Sequence, residues 1–453
     1  MDVKRKAILF GRNNWIVLLL FGLIGQIAWA VENMYFNVFV YETVSPSLEA
    51  VTLMVQLSGI AATLTTLFAG TLSDKLGNRR SLISFGYVIW GITVIIFGFM
   101  SPENTMSVFG VDAERAIPIT LVLVIVGDCV MTFFGSSAND AAFNAWITDN
   151  THSDYRGRVE GIISILPLIA MLIVAGGFGI LVELIGYQLL FLGLGIVITA
   201  SGVFGIFFIK DSEGLSGHGT FADIFYGFRP SVIKANSRFY LTLSVVLILG
   251  VATQIFMPYM IIYMKEYLGF SVLEYSAVFA VAIIFGAALN VWLGILSDKM
   301  DKAKLIYIAA AVYSIGLLLM YFMNFKSHIA TLILFGVGGF VMISGNIFTS
   351  ALTGSLVRDY TPVGEVGKLQ GVRMVFSVLI PMLIGPMIGN AINRSMNIPL
   401  PENSGADVLT TQYIPAPEIF LTASLVILLC FAVIPFIVKL RKNESNSIKD
   451  KDS

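Results

Sequence analysis

The chain has 453 residues, 57% of them hydrophobic and only 13% charged, with a formal net charge of −1. That composition excludes a soluble globular protein, and the near-zero charge gives no case for a nucleic-acid partner. Two cysteines, Cys129 and Cys430, each inside an apolar run, and three scattered histidines exclude a disulfide framework and a metal-ligand cluster.

Lys4, Arg5 and Lys6 precede an apolar segment that is too long, and too polar at its middle, for a signal peptide. It also lacks a small-residue cleavage site, so it reads as the first retained helix. Apolar runs of about 20 residues or more, bounded by charges or by Pro, Gly and Asn, fall at about 14–41, 48–73, 81–100, 117–147, 158–182, 187–209, 239–264, 272–298, 304–323, 329–357, 367–393 and 417–439. Twelve such runs predict an all-α membrane protein. Its expected parts are a cytoplasmic tail (1–13), a six-helix bundle (14–209), a cytoplasmic linker (210–238), a second six-helix bundle (239–439) and a second cytoplasmic tail (440–453). With both termini inside, all of the 28 Lys and Arg residues except Arg115, Lys265, Lys326, Arg394 and Arg373 fall on the cytoplasmic side. This bias predicts a multi-pass protein of the cell membrane in that orientation. The linker carries Asp211, Glu213 and a Gly/Ser-rich turn; it is too polar to span and too short for a catalytic domain. Within it, Phe221–Phe228 reads as a short amphipathic helix on the membrane surface. The residues after Lys439 are charged and rich in Ser, Asn and Lys, a composition of disorder.

Between the second and third runs stands Gly70-Thr71-Leu72-Ser73-Asp74-Lys75-Leu76-Gly77-Asn78-Arg79-Arg80, and its pattern returns as Gly294-Ile295-Leu296-Ser297-Asp298-Lys299-Met300-Asp301. A Gly admits close approach of two membrane helices, and an Asp at a helix end can face the positive N-terminus of a neighbour. Gly70, Asp74, Lys75, Gly77, Arg79 and Arg80 resemble the cytoplasmic loop signature of the major facilitator superfamily, with Asn78 where a basic residue often stands. The second copy keeps Gly294, Asp298 and Lys299 and has Asp301 in place of the second glycine. Asp149, Thr151, Gly157, Arg158, Gly161 and Gly179 likewise recur as Asp359, Thr361, Gly367, Lys368, Gly371 and Gly389. The resemblance covers essentially the whole chain. It implies two pseudo-symmetric six-helix halves related by an axis along the membrane normal. It also implies a gating role for Asp74 and Asp298, each meeting a helix N-terminus of the other half near Gly367 or Gly157.

By the same resemblance, helices one, four, seven and ten line the transport cavity. On helix one, Gln26, Trp29, Asn33 and Asn37 lie within about 80° of one another, a polar and aromatic stripe suited to a hydroxyl-rich ligand. Glu32 stands beside it, about 18 residues or roughly 27 Å of rise from the cytoplasmic end. A charged residue there costs roughly 2.5–3.5 kcal/mol on insertion scales, which marks it as a proton-carrying candidate, the plainer alternative being a structural acid bonded to a neighbouring helix. On helix four, Ser136, Asp140 and Asn144 form one polar face, while Asp128 shares another with Thr132, Gly135 and Asn139. The run Asn139-Asp140-Ala141-Ala142-Phe143 resembles helix four of the glycoside-pentoside-hexuronide cation symporters, where an Asp contacts sugar and coupling ion. The acid pair of that family's helix two is missing between Gly59 and Ala69, which argues against sodium coupling of that kind.

Helix seven offers Gln254 and Tyr259 around Pro258, whose missing N–H would kink it. Tyr259 and Tyr263 serve equally well as interfacial aromatics. Helix eight offers Asn290, and helix ten Ser344, Asn346, Thr349 and Ser350. Arg373 either snorkels to the cytoplasm or pairs with a carboxylate of the motif loop. Helix five carries Gly176, Gly177 and Gly179 without the proline of the drug antiporters' motif, which favours uptake over multidrug efflux.

The expectation is a secondary active transporter of a small polar solute, a sugar or glycoside. Its substrate-binding residues would be Gln26, Trp29, Asn33, Asn37, Asp140, Asn144, Gln254, Tyr259 and Asn346. Glu32, Asp128 and Asp140 would couple transport to a proton, sodium being the other candidate ion. The alternatives are a proton-driven exporter of amphiphiles and a non-transporting membrane sensor. No cofactor or metal is expected, the partners being the solute, the coupling ion and the lipid bilayer around a monomer. No nucleophile–base pair stands out, so no enzyme is expected.

Overall fold

The computed structural model describes residues 11–76, 78–151, 156–211, 221–297, 302–323, 327–362, 366–399 and 413–449. Among them there is no sheet, only an isolated bridge between Pro399 and Tyr413. Eleven helical stretches are long and apolar enough to cross a membrane. One of them, Gly161–Phe208, runs for 48 residues, which as a single helix would span about 72 Å against a bilayer core of about 30 Å. It breaks at Gly186, whose φ of 78° and ψ of 163° are open to glycine alone. Two helices result, and the total is twelve.

The chain divides into two compact units, Met1–Phe221 and Ala222–Ser453. The first holds α1 (Arg12–Val44), α2 (Leu48–Leu76), α3 (Arg79–Gly98), α4 (Ala113–Asn150), α5 (156–185) and α6 (187–208). The second holds α7 (Ser237–Tyr267), α8 (Val272–Ser297), α9 (Lys302–Tyr321), α10 (His328–Tyr360), α11 (Leu369–Met396) and α12 (Glu418–Lys439). In the first unit α3 packs on α6 and α4, α1 on α5 and α6, and α2 on α4. In the second, α9 packs on α12 and α10, α7 on α11 and α12, and α8 on α10. Adding six to each helix number turns the first set of pairings into the second, so the repeat read from the loops extends to the packing of whole helices.

The faces turned away from each unit's core are apolar. On α3, Ile83, Tyr87, Trp90, Val94 and Phe97 are buried while Phe85, Ile92 and Ile96 stand exposed at helical spacing. A helix apolar on both sides belongs in lipid. Aromatic rings lock α1 against α3 and α6: Phe36 stacks on Phe97 with centroids 4.1 Å apart and meets Phe191 edge-on at 4.9 Å. This fixes the depth and rotation of α1, and so of Glu32.

Several helices widen to π turns, at Glu32–Phe36 and Val40–Val44 in α1, Ser136–Phe143 in α4, Val174–Phe178 in α5, Tyr263–Tyr267 in α7 and Val375–Leu379 in α11. Such turns release backbone carbonyls from the regular ladder and recur at functional positions. The expected kink in α7 is a 3₁₀ turn, Met257–Tyr259, around Pro258. Phe221–Phe228 forms a 3₁₀ helix, and in the second unit Tyr240 donates to the Gly227 carbonyl.

Candidate functional site

In the first unit the polar residues of α1 divide into three environments. Glu32, 7% exposed, accepts at Oε1 from Ser58 Oγ of α2 at 3.1 Å and from Thr132 Oγ1 of α4 at 3.0 Å. The two hydroxyls are themselves 2.7 Å apart. Glu32 Oε2 and the Oδ1 of Asp128, one helical turn before Thr132 and 1% exposed, are buried with no hydrogen-bond partner among the described residues. This is a dry cluster of two carboxyls and two hydroxyls tying three helices together, a place where a proton can be held between groups that cannot reach water.

Asn33 and Asn37 each spend one amide N–H on the widened turns of α1 itself: Asn33 Nδ2 donates to Trp29 O at 2.8 Å and Asn37 Nδ2 to Asn33 O at 3.0 Å. Each still has a second N–H and its side-chain carbonyl oxygen. Trp29 packs on Trp90 of α3 with centroids 5.1 Å apart, and its Nε1 is buried without a partner among the described residues.

Asp140, half-buried, lies on the third environment, a cavity of about 60 Å³ that Gln26, Asn139, Asn144, Phe143 and Leu166 also line. Asn139 Nδ2 donates to Asp140 Oδ1 at 3.2 Å, and Asn144 Nδ2 donates to the Asp140 carbonyl at 3.1 Å. The structure therefore brings Gln26, Asp140 and Asn144 together on one cavity. It sets Glu32 and Asp128 apart from them in the dry cluster.

In the second unit a cavity of about 330 Å³ opens among α7, α10 and α11. Thr253, Gln254, Asn346, Ser350 and Ser377 supply its hydrogen-bonding wall, Arg373 its one formal charge, and Leu243, Val246, Leu249 and Val357 its apolar side. The size and the mix of apolar and convergent polar groups suit a small-molecule site. Arg373 lines this cavity, and the second motif loop with which it could pair lies outside the described residues. Tyr259, by contrast, is fully buried and donates to the Pro386 carbonyl at 2.9 Å, so it fastens α7 to α11 and does not line the cavity. Asn290 Nδ2 donates to Gly286 O at 2.7 Å within its own helix and to Ser344 O at 3.3 Å, which joins α8 to α10.

Of the loop motif, Arg79 is buried and its Nε donates to Asp149 Oδ2 at 3.1 Å. The Arg80 backbone N–H donates to Asp211 Oδ1 at 2.9 Å, its guanidinium donates to the Ile206 carbonyl, and Asn78 caps α3 by accepting from Ser81 N at 3.0 Å. Lys75 is exposed. A Cβ built on Gly70 meets nothing within 4 Å among the described residues. The readings on Gly77, Asp298 and Lys299 lie outside the described residues, as do the surroundings of Asp74 and Gly294.

Sequence reasoning missed Ser58, Tyr87, Thr253 and Tyr313. In the first unit Tyr87 O–H lies 2.9 Å from both Phe21 O and Asn139 Oδ1. In the second, Tyr313 O lies 2.8 Å from Thr253 Oγ1 and accepts from Asn346 Nδ2 at 2.8 Å. The two tyrosines do not occupy equivalent places in the repeat: a Cβ on Gly135 meets Trp90 as one on Gly345 meets Tyr313, so no shared sequence signal marked them.

The sequence model of the Major Facilitator Superfamily matches residues 15–386. No curated protein sequence matches the chain. Among solved structures, a D-xylose-proton symporter is similar at a TM-score of 0.69 and 13% identity, over 93% of this chain and 96% of its own. The nucleoside transporter NupG is similar at 0.64 and 12% identity, over 93% of this chain and 98% of its own. A bacterial homologue of the human lysosomal transporter Spinster, inward-facing and unoccupied, is similar at 0.63 and 15% identity, over 94% of this chain and 97% of its own. At such identities the likeness is one of fold.

Proposed function

Because the chain belongs to the Major Facilitator Superfamily, a family of transporters and not of enzymes, we propose that it moves a small polar solute, a sugar or glycoside, by alternating access in symport with protons. It would do so as a monomer in the cell membrane, with both termini cytoplasmic. The observation that carries this reading is the cavity of about 330 Å³ in the second unit, whose amides and hydroxyls suit a hydroxyl-rich ligand. Gln254 and Asn346 present amides, which both donate and accept, as a sugar hydroxyl does. In the first unit, Gln26, Asp140 and Asn144 would offer hydrogen-bonding groups to solute on their own cavity. The likeness in fold to a D-xylose-proton symporter agrees with a sugar as solute and a proton as coupling ion.

Asp140 and the cluster of Glu32 and Asp128 would carry the proton. Asp140 borders a cavity and can exchange with solvent or solute, while the dry cluster would take up or release a proton only when the surrounding helices part. The apolar side of the second-unit cavity, Leu243, Val246, Leu249 and Val357, favours as a second reading a proton-driven exporter of amphiphiles.

The test is solute-induced pH change in proteoliposomes over a panel of sugars and glycosides, comparing the wild type with Glu32→Gln and Asp140→Asn. Sugar-dependent alkalinisation of the outer medium, abolished by either substitution, is expected. Silence toward every sugar together with transport of a lipophilic cation would promote the exporter.

A further inference from the structure

The hydroxyl of Tyr87 has one proton and two acceptors, Phe21 O of α1 and Asn139 Oδ1 of α4, each at 2.9 Å. It can serve only one of them at full strength. Which one it serves depends on the amide of Asn139, and that amide also donates to Asp140 Oδ1 at 3.2 Å. Phe21, Tyr87, Asn139 and Asp140 thus form one chain of hydrogen bonds across three helices, buried except at the Asp140 end.

We infer that Asn139 is a turnover amide that transmits the protonation of Asp140 to the contact between Tyr87 and α1. With Asp140 a carboxylate, Asn139 must aim Nδ2 at it, so its Oδ1 accepts from Tyr87 and the Phe21 carbonyl loses that donor. When one proton binds Asp140, its new O–H donates to Asn139 Oδ1 after the amide turns over. Nδ2 then donates to the Tyr87 oxygen, and the Tyr87 O–H donates to Phe21 O. No covalent bond changes other than the one O–H formed on Asp140, and the Tyr87 O–H and one N–H of Asn139 have an acceptor in both states.

One further observation supports this. α1 approaches the relay at Gly25, where a Cβ would lie 2.5 Å from Asn139 Oδ1 and 2.7 Å from Tyr87 O. A change in this bond is thereby felt directly by the backbone of α1. The titratable groups facing Asp140 are Glu32 of α1 and Tyr87 of α3. From α5 it meets the apolar Ile163 and Leu166, and the charged side chains of α2, Glu49, Asp74 and Lys75, stand at that helix's ends.

The inference rests on Asp140 as a proton carrier and is tested without solute or transport. Purified protein is titrated with acid while the infrared carboxyl band is followed, assigned by its loss in Asp140→Asn. In parallel, the fluorescence of Trp90, whose ring packs 5.4 Å from Tyr87, is followed in a background in which the other four tryptophans, Trp15, Trp29, Trp146 and Trp292, are replaced by Phe. The expected result is a Trp90 change with the same midpoint as the Asp140 band, lost in Asn139→Leu although the band still titrates. Tyr87→Phe, which keeps the ring, provides the same comparison should the leucine variant fail to fold. A Trp90 change that persists in Asn139→Leu and Tyr87→Phe, or its absence in the wild type while the band titrates, overturns the relay alone. Absence of any Asp140 band overturns both the relay and the proton-carrying role of Asp140.

Discussion

Arg79, the first residue of α3, is joined at 3.1 Å to Asp149, the penultimate residue of α4, with only 6% of the arginine side chain exposed. The second unit repeats the arrangement between Lys302, the first residue of α9, and Asp359, the penultimate residue of α10, at 3.0 Å. The two pairs differ in surroundings. Lys302 and Asp359 keep 30% and 51% exposure, so water screens them and the pair contributes no more than about 1 kcal/mol. Arg79→Ala leaves Asp149 without its buried partner and is expected to cost about 3 kcal/mol, whereas Lys302→Ala costs under about 1 kcal/mol. Thermal unfolding in detergent checks this, and equal losses would mean that the Arg79 pair is as solvated as its counterpart.

Glu32 accepts from two hydroxyls that lie 2.7 Å apart, so the three groups act as a unit. Thr132→Val takes one donor from a buried carboxylate and is expected to cost about 1–3 kcal/mol in the wild type. In a Glu32→Leu background Thr132 bonds only Ser58, and the same substitution should cost about 1 kcal/mol less. A double-mutant cycle on melting midpoints measures the difference. Additive losses would show that Thr132 does not support Glu32.

Much of this fold is legible in the sequence because lipid makes a severe demand. Every span must be apolar for about 20 residues and satisfy its own backbone, and the charged turns between spans mark the ends. The repeat was equally visible, since Asp149 and Asp359 stand at matching turns. The polar sites were read less completely. A 100° wheel put Asp128 and Asn139 on one face of α4, whereas the widened turn at Ser136–Phe143 begins between them, and Asn139 bonds Tyr87 and Asp140. Nothing local announces a π turn. Ser58 was missed because hydroxyls in membrane helices usually bond their own helix, as Thr52 does to Leu48 O at 2.6 Å and Thr66 to Ala62 O at 2.8 Å. Tyr259 was overrated for the converse reason: sequence shows a polar tip and cannot show that Pro386 O already occupies it.

Gly25 and Gly70 make a matched pair of tests, since both lie in long helices and only one is crowded. Gly25→Ala would push a methyl group into the Tyr87–Asn139 contact and is expected to cost about 1–3 kcal/mol. Asn139→Ala in the same chain should return part of that loss by making room. Gly70→Ala meets open space and should leave stability unchanged or raise it by about 0.5–1 kcal/mol through helix propensity. Melting of the three variants decides the matter, and a large loss at Gly70 would show that a neighbour approaches it in another conformation.

The second-unit cavity separates residues that touch solute from residues that build the wall. Gln254 lines it, whereas Tyr259, five residues on but on the buried side of α7, holds Pro386. Gln254→Ala is expected to raise the KM of sugar uptake about tenfold, equivalent to about 1.4 kcal/mol of lost contact, with the melting temperature little changed. Tyr259→Phe loses a buried hydrogen bond and leaves the Pro386 carbonyl unpaired by it, so it should lower stability by about 1 kcal/mol while KM stays within about twofold, a change worth under 1 kcal/mol. Uptake kinetics and unfolding measured on the same preparations distinguish the two effects. A KM that rises in Tyr259→Phe and not in Gln254→Ala would place the solute against the α7–α11 seam and remove the cavity from the transport path.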